Sequence, residues 1–386
     1  MKTIIYILFI FIRRMDPKIR NKKEDNGELL FTLEGVDVCF ANGLRRTIIS
    51  DIPIVVFKTK PYSENRCTIF KNTTKINNDI VKQRLSSIPI CISDKSEYFE
   101  HIDDLLLELD VENTSDVLEM VTTENFKIKN IKTNKYLDES SVKEIFPPFV
   151  PLNNNNQYYI DFLRLEPKIS NEIPGESIKL TCKFCIGTSK EDGMFNVTGT
   201  CSYGYTIDHN RMNDELNKLK ETWKNDKLTK EEIDLKEKNW KLLDGKRVTI
   251  PNSFDFIINS VGIYENDEIL KKACRILSKR LENIDPHKDG VEIKQRNTNE
   301  KEYDIILHNE DYTTVSIIKY MIYNLHFIGT KKISFCGTSK SHDYNKFMCI
   351  RICFSDNDGN DNVIRQMMEE SIKKSIGIIS KILSQF

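Results

Sequence analysis

The chain has almost no excess charge of either sign: 57 Lys and Arg stand against 58 Asp and Glu in 386 residues, a formal net charge of −1. That balance leaves no electrostatic footprint for nucleic acid on the chain as a whole, which argues against a free-standing nucleic-acid-binding protein. No Asp-x-Asp-x-Asp cluster is present to hold two Mg²⁺ ions about 3.5–4 Å apart. Neither a Walker A nor a Rossmann glycine pattern occurs. Asp356, Asn357, Asp358 and Gly359 imitate the start of a calcium loop. No acidic ligand follows at EF-hand spacing, so a turn is expected there. Long apolar runs are missing as well. The run at residues 3–12 is closed by Arg13 and Arg14 and is too short to span a bilayer. No small-residue cleavage site follows it. Residues 1–25 are expected to be a disordered or mis-extended N-terminus, with Met15 as the working start and the basic stretch 18–23 a solvated tail.

Histidine is scarce and scattered, with six residues in all; His342 is expected in an exposed loop. The ten cysteines are scattered too, several inside apolar strand-like runs such as those of Cys39, Cys349 and Cys353. That usage suits a reducing intracellular compartment, where free Cys serves as a small hydrophobe. Cys182 and Cys185 form the sharpest metal candidate, with Cys201 as a third ligand. Structural zinc takes four ligands, and no fourth follows. In a strand, Cys182 and Cys185 would also point to opposite faces. The alternative function is therefore a thiol- or zinc-dependent enzyme using Cys182, Cys185 and Cys201; the favoured reading has no metal, no cofactor and no catalytic residue.

What is present is ample core material: 39% hydrophobic and 30% charged residues, enough for two or three modest domains. Residues 31–53 show a change of period. Phe31, Leu33, Val36 and Val38 read as a short half-buried strand. Phe40, Leu44 and Ile48, with Ala41 and Ile49 beside them, read as an amphipathic helix that Pro53 stops. Arg45 and Arg46 must diverge by about 100° on that helix, so at least one faces outward or toward a partner. Asn77 is a candidate N-cap for a helix through Ile80, Val81, Arg84 and Leu85. Strands are expected at 54–58, 105–109, 126–131, 158–165, 177–187 and 197–205, and a weak helix at 140–145.

Residues 209–246 are charge-rich and predict one or two surface helices, with Thr229 and Glu232 as a capping box and Trp223 and Trp240 available for packing. A strand with Phe254 and Phe256 alternating leads to a helix over 265–284 with Leu270, Ala273, Leu277, Leu281 and Ile284 on one stripe. After a polar joint at 286–290 the plan repeats. Strands at 291–293 and 303–307 precede an acidic turn and a helix over 313–325 with Ile317, Met321 and Leu325. Strands at 331–335 and 347–354 precede a long helix with Ile364, Met368, Ile372, Ile376, Ile379 and Leu383 on its stripe.

Asn42, Leu44, Arg45, Arg46, Ile52 and Pro53 resemble the signature of the α-like subunits of multisubunit RNA polymerases. Asn72, Thr74, Gln83, Arg84, Leu85, Ile88 and Pro89 match that family's next motif. The strand at 177–187 is similar to the family's Leu-x-Leu-x-Cys cadence, although Gly193, Met194 and Phe195 stand where eukaryotic-like members carry a His-Ala-Lys-Trp box. Asn259 stands where the family has Glu. The last third resembles the small α-like partner, called L in archaea, through Glu310, Asp311 and Thr313; Tyr312 replaces a His there.

The resemblance implies an α+β fold. A split α-like dimerisation domain (26–55 and 247–286) would receive an inserted mostly-β domain (56–246). A second dimerisation domain (290–386) would close on the first as an intramolecular pseudo-dimer. It implies a non-catalytic assembly platform for a DNA-directed RNA polymerase, acting in transcription. The expected partners are the second-largest subunit and a small zinc-bearing subunit, with DNA reached only through the complex and no membrane. Asn42, Arg45, Arg46, Gln83 and Arg84 are the expected docking residues. Phe40, Leu44, Ile48, Leu277, Leu281, Ile317, Met321, Ile372, Ile376 and Ile379 are the expected internal interface. Fused pairs of this kind resemble those of large DNA viruses, which implies work in a host cytoplasm or nucleus, or packaging in virions.

Overall fold

The computed structural model describes every residue except 1–14, 152–155, 171, 173, 227, 297–300, 341, 343 and 357–358. The apolar run at 3–12 and the middle of the calcium-like turn at 356–359 thus lie outside the described residues. The first strands are β1 (Lys18–Asp25), β2 (Glu28–Glu34), β3 (Ile54–Val56), β4 (Cys67–Asn72), β5 (Leu105–Glu112) and β6 (Glu119–Thr122). Then come β7 (Lys127–Asn130), β8 (Lys135–Tyr136), β9 (Asp161–Leu165), β10 (Ser177–Lys183), β11 (Cys185–Gly187) and β12 (Thr198–Ile207). The last are β13 (Thr249–Ser260), β14 (Val291–Gln295), β15 (Glu302–His308), β16 (Ile333–Ser339) and β17 (Phe347–Phe354). The helices begin with α1 (Val38–Ser50), α2 (Asn78–Ser86), α3 (Glu139–Ile145) and α4 (His209–Asn225). They continue with α5 (Lys230–Leu242), α6 (Asn266–Asn283), α7 (Tyr312–Ile322) and α8 (Asp361–Leu383).

The chain forms two compact units. One runs up to Thr47 and takes in Thr200–Asn259 and Leu270–Phe386; the other comprises Ile48–Gly199 and Ser260–Ile269. The first unit holds two four-stranded sheets, ordered β1-β2-β13-β12 and β14-β15-β17-β16. The two orders are the same plan: a hairpin, a helix, two further strands and a second helix, with the fourth strand lying beside the second. The repeat expected from the C-terminal sequence is therefore also a repeat of sheet topology.

One element of that plan overturns an expectation. The basic stretch at 18–23, expected as a solvated tail, belongs to β1, which pairs antiparallel with β2 from Lys18↔Glu34 to Asp25↔Glu28. Its side chains are nearly all exposed, so the strand carries no apolar alternation. The signal that sequence reasoning passed over is the turn: Asn26 and Gly27 adopt φ of 52° and 80°, the conformation for which an Asn-Gly hairpin is selected. Val38, expected in the preceding strand, instead opens α1. Gly35 breaks the strand at φ 76°, and the Asp37 carboxylate accepts from Cys39 N at 2.9 Å as a helix cap.

The boundary of the expected insertion also differs. Residues 56–246 do not stay together, because β12 lies beside β13 in the first unit's sheet. The α4–α5 hairpin that follows β12 therefore belongs to that unit. Within the hairpin Leu216 is buried in α4, Lys220 pairs with Glu237 at 2.7 Å, and Lys236 lies over the Trp223 ring. The Thr229–Glu232 capping box forms as read.

The second unit is built on a five-stranded sheet, β4-β10-β5-β7-β8, with two-stranded pairs β11-β3 and β6-β9. Its core gathers Phe57, Leu85, Leu107, Phe146, Phe162 and Phe184. Asn77 caps α2 by accepting from Ile80 N at 2.9 Å.

Candidate functional site

In the first unit, α1 buries Phe40 and Leu44, while α6 buries Leu277 and Leu281. Ile48 is buried too, on the last turn of α1, where the chain passes to the second unit. From the C-terminal repeat, Ile317 and Met321 of α7 and Ile372 and Ile379 of α8 are buried. Ile376, expected in the interface, is only half-buried. It lines, with Ile284, Pro286 and Lys373, an open cavity of about 490 Å³ between the end of α6 and α8. Gly43 leaves room for the C-terminal repeat: a Cβ there would lie 2.9 Å from Ile317 Cδ1 and 3.6 Å from Leu277 Cδ2.

The two arginines of α1 part as their helical spacing requires. Arg45 folds back on its own helix, donating to Asn42 Oδ1 from Nε at 3.1 Å and Nη2 at 2.9 Å. Arg46 reaches into the C-terminal repeat. Its Nε donates to Thr313 Oγ1 at 2.8 Å, and its Nη2 lies 3.9 Å from Asp311. Arg280 of α6 meets the same acidic turn, at 2.9 Å from Glu310 and 3.4 Å from Asp311. Asp311 also caps α7 by accepting from Thr313 N at 2.8 Å, and Thr314 Oγ1 donates to Glu310 at 2.6 Å. Two cations from the N-terminal repeat thus converge on two carboxylates at the start of α7. Sequence reasoning noted the acidic turn but missed Arg280, which sits beside the Leu277–Leu281 stripe and reads as one more surface charge.

A second seam lies at the C-terminal end of α8. Gln385 Nε2 donates to Pro17 O at 2.7 Å, and its Oε1 accepts from Ile19 N at 2.8 Å. Phe386 packs edge-on against Phe31 at 5.3 Å, and Phe31 stacks on Phe256 at 5.0 Å. This seam was not legible, because it uses β1.

Gln83 and Arg84 project from α2 of the second unit and are exposed, with Arg84 Nη2 at 3.3 Å from Asp161 O. The five expected docking residues are therefore divided between the units, with Asn42, Arg45 and Arg46 in the first.

Cys182 is buried in β10, whereas Cys185 is half-buried with its Sγ 3.4 Å from Val56 O. Cys201 belongs to the first unit, where burial pushes its thiol up to about 12. Among the described residues no group of three His, Cys, Asp or Glu side chains is arranged to hold a metal ion. The alternative built on Cys182, Cys185 and Cys201 thus lacks a ligand set, because the ladder directs Cys182 toward Cys67 instead. No helix among the described residues is long and apolar enough to cross a membrane.

Residues 30–281 match the family described as RNA polymerase Rpb3/Rpb11 dimerisation domain. The chain is similar to DNA-directed RNA polymerase subunit Rpo3 of Methanosphaera stadtmanae, 24% identical over 292 residues, spanning 70% of this chain and 97% of that protein. It is also similar to Rpo3 of Pyrococcus horikoshii, 38% identical over 73 residues, 19% of this chain and 25% of that one. A further match is subunit rpac1 of DNA-directed RNA polymerases I and III of Dictyostelium discoideum. That match is 34% identical over 83 residues, 22% of each chain.

Proposed function

The chain belongs to the RNA polymerase Rpb3/Rpb11 dimerisation-domain family, and on that premise we propose that it is a non-catalytic assembly-platform subunit of a DNA-directed RNA polymerase. Residues 282–386, beyond the family match, act in this reading as a fused small partner. The shared strand order of the two sheets supports that assignment. The observation that carries it is the convergence of Arg46 and Arg280 on Glu310 and Asp311, beside the Gly43–Ile317 approach. These are the contacts an intramolecular pseudo-dimer needs. A short joint between halves replaces a bimolecular step by an intramolecular one, at an effective concentration of about millimolar for a short flexible link. The second unit is then the mostly-β insertion that splits the first dimerisation domain.

The platform docks the second-largest catalytic subunit and a small zinc-bearing subunit and reaches DNA only through the complex; its near-zero net charge fits that indirect role. Of the docking residues, Arg46 reaches the acidic turn of the C-terminal repeat, so Arg45 with its bonded Asn42 on the first unit and the exposed Gln83 and Arg84 on the second are the ones to present to a partner. An arginine fork suits paired bonds to carboxylates or carbonyls. The fused order suits an enzyme of large DNA viruses, working in the reducing interior of a host cell or packaged in virions.

The test is co-expression of the tagged full chain with the second-largest subunit. Arg45→Glu combined with Arg84→Glu is expected to lower its capture at least tenfold while leaving the urea midpoint of the chain unchanged. Undiminished capture removes the docking assignment; failure of the unaltered chain to capture any polymerase subunit removes the platform role itself.

A further inference from the structure

Cys67 opens β4, Cys182 lies near the end of β10, and the two residues stand directly opposite each other across that ladder. Lys183 N donates to Arg66 O at 3.2 Å, so the neighbouring pair is of the hydrogen-bonded kind. Cys67 and Cys182 therefore occupy the non-hydrogen-bonded kind of site, where Cα atoms approach to about 4.5 Å. A disulfide spans Cα separations of about 4.4–6.8 Å. Both side chains enter the same core and are 2% and 0% exposed. Cys185 is no competitor, since its sulfur turns to Val56 O.

We propose that Cys67 and Cys182 form a redox-modification site, a thiol pair that closes to a cross-strand disulfide when the chain meets a low-molecular-weight disulfide such as oxidised glutathione. The Cys67 thiolate attacks one sulfur of glutathione disulfide and expels one glutathione thiolate. Cys182 then loses its proton, attacks the Cys67 sulfur of the mixed disulfide and expels the second. Two protein thiols are oxidised, one glutathione disulfide is reduced to two thiols, and both protons end on glutathione.

The roles follow from the pair's environment. The Cys182 thiol faces the Cys67 sulfur, and that contact, helped by Lys82, holds Cys67 below the usual thiol range in spite of its burial. Cys182 is held well above that range by the same contact and by burial, with its Sγ also 3.6 Å from Lys183 O. Access does not require unfolding of the sheet. β4 is an edge strand and Cys67 is its first residue, so opening of that one strand end, against the bonds Asn65 makes to the Cys67 backbone, is enough to expose the attacking sulfur. Once closed, the bridge staples that edge to β10 across a long loop, where a crosslink restrains the unfolded chain most.

Purified full-length chain is incubated with oxidised glutathione, alkylated and mapped by mass spectrometry. The expected result is a linked Cys67–Cys182 peptide, a thermal midpoint raised by several degrees and reversal of both by dithiothreitol. Cys185→Ser is expected to keep the crosslink and Cys67→Ser to lose it. Recovery of Cys67 and Cys182 as alkylated thiols after other cysteines have reacted overturns the proposal, as does a Cys182–Cys185 bridge. The map of the unaltered chain decides the matter even where Cys67→Ser does not fold.

Discussion

Arg280 is 18% exposed and Glu310 17%, so this ion pair is drier than the surface pairs around it. Removing one member of a buried pair costs about 3–5 kcal/mol because the other charge is left uncompensated; at this partial exposure about 2 kcal/mol is expected for Arg280→Met. Glu310→Gln in the same chain should return part of that loss, which a denaturant double-mutant cycle reads; additive losses would mean that the two charges do not communicate. Arg46, 41% exposed, should cost less than Arg280 when replaced. His326 makes a second residue-scale case. It is buried at 4% exposure, and burial holds its pKa below the ordinary 6.5, while the Glu370 carboxylate pulls it up and Lys332 and Lys374 push it further down. The unfolded chain therefore takes a proton first as the pH falls. Its contribution to stability is whole above pH 6.5 and declines as the pH drops through 6.5 toward the folded value. Urea midpoints at about pH 7.5 and 5.5 should show that decline, and His326→Gln should flatten it; an identical decline in the variant would remove His326 as the cause. Neither role was legible beforehand. Arg280 takes its meaning from a turn about thirty residues on, and His326 from a π-helical turn, Tyr323–Gly329, that continues α7 where a plain helical end is expected.

At the scale of elements, periodicity exposed α1, α6, α7 and α8 because each buries a stripe that four-residue spacing makes visible. The capped helices α2 and α5 were legible from Asn77 and Thr229, whose oxygens take up free backbone N–H groups. β1 escaped because it is held by its ladder and hairpin turn rather than by buried side chains. The position of β12 escaped because pairing is non-local: nothing in its own ten residues says that β13 is its neighbour. The crossing of α1 and α7 yields a prediction at this scale. Gly43 leaves room for Ile317. Gly43→Ala gains about 1 kcal/mol of helix propensity and asks only a side-chain tip to move, so it should be close to neutral. Gly43→Leu overpacks the crossing and should cost about 1–3 kcal/mol. Ile317→Ala alone leaves a cavity and should cost about 2–5 kcal/mol, yet the Gly43→Leu, Ile317→Ala pair should lose less than the sum, since the added side chain fills the space vacated. Additive losses in chemical denaturation would show that the two helices do not share this contact.

For the whole molecule, the repeat was legible because the same order of elements recurs on both sides of a polar joint, whereas the limits of the second unit were not, since they depend on which sheet β12 joins. The repeat predicts a cohesion that does not depend on the joint. His287 to Gly290 are exposed, while Pro286 is buried and its carbonyl accepts from Arg365 of α8. A protease site inserted between Lys288 and Asp289 should therefore be cut without unfolding either side. The contacts that join the repeats lie elsewhere: Arg46 and Arg280 at the acidic turn, Gly43 under Ile317, and Gln385 and Phe386 against β1 and β2. In the proposed pseudo-dimer these contacts border apolar stripes that neither half would cover alone, as in obligate interfaces. The cut chain should elute from gel filtration as one species at the size of the intact chain and come apart only in denaturant, with Arg280→Met lowering the denaturant needed. Two separately eluting folded fragments would show that each repeat has a complete core of its own, and the pseudo-dimer would then have no physical basis.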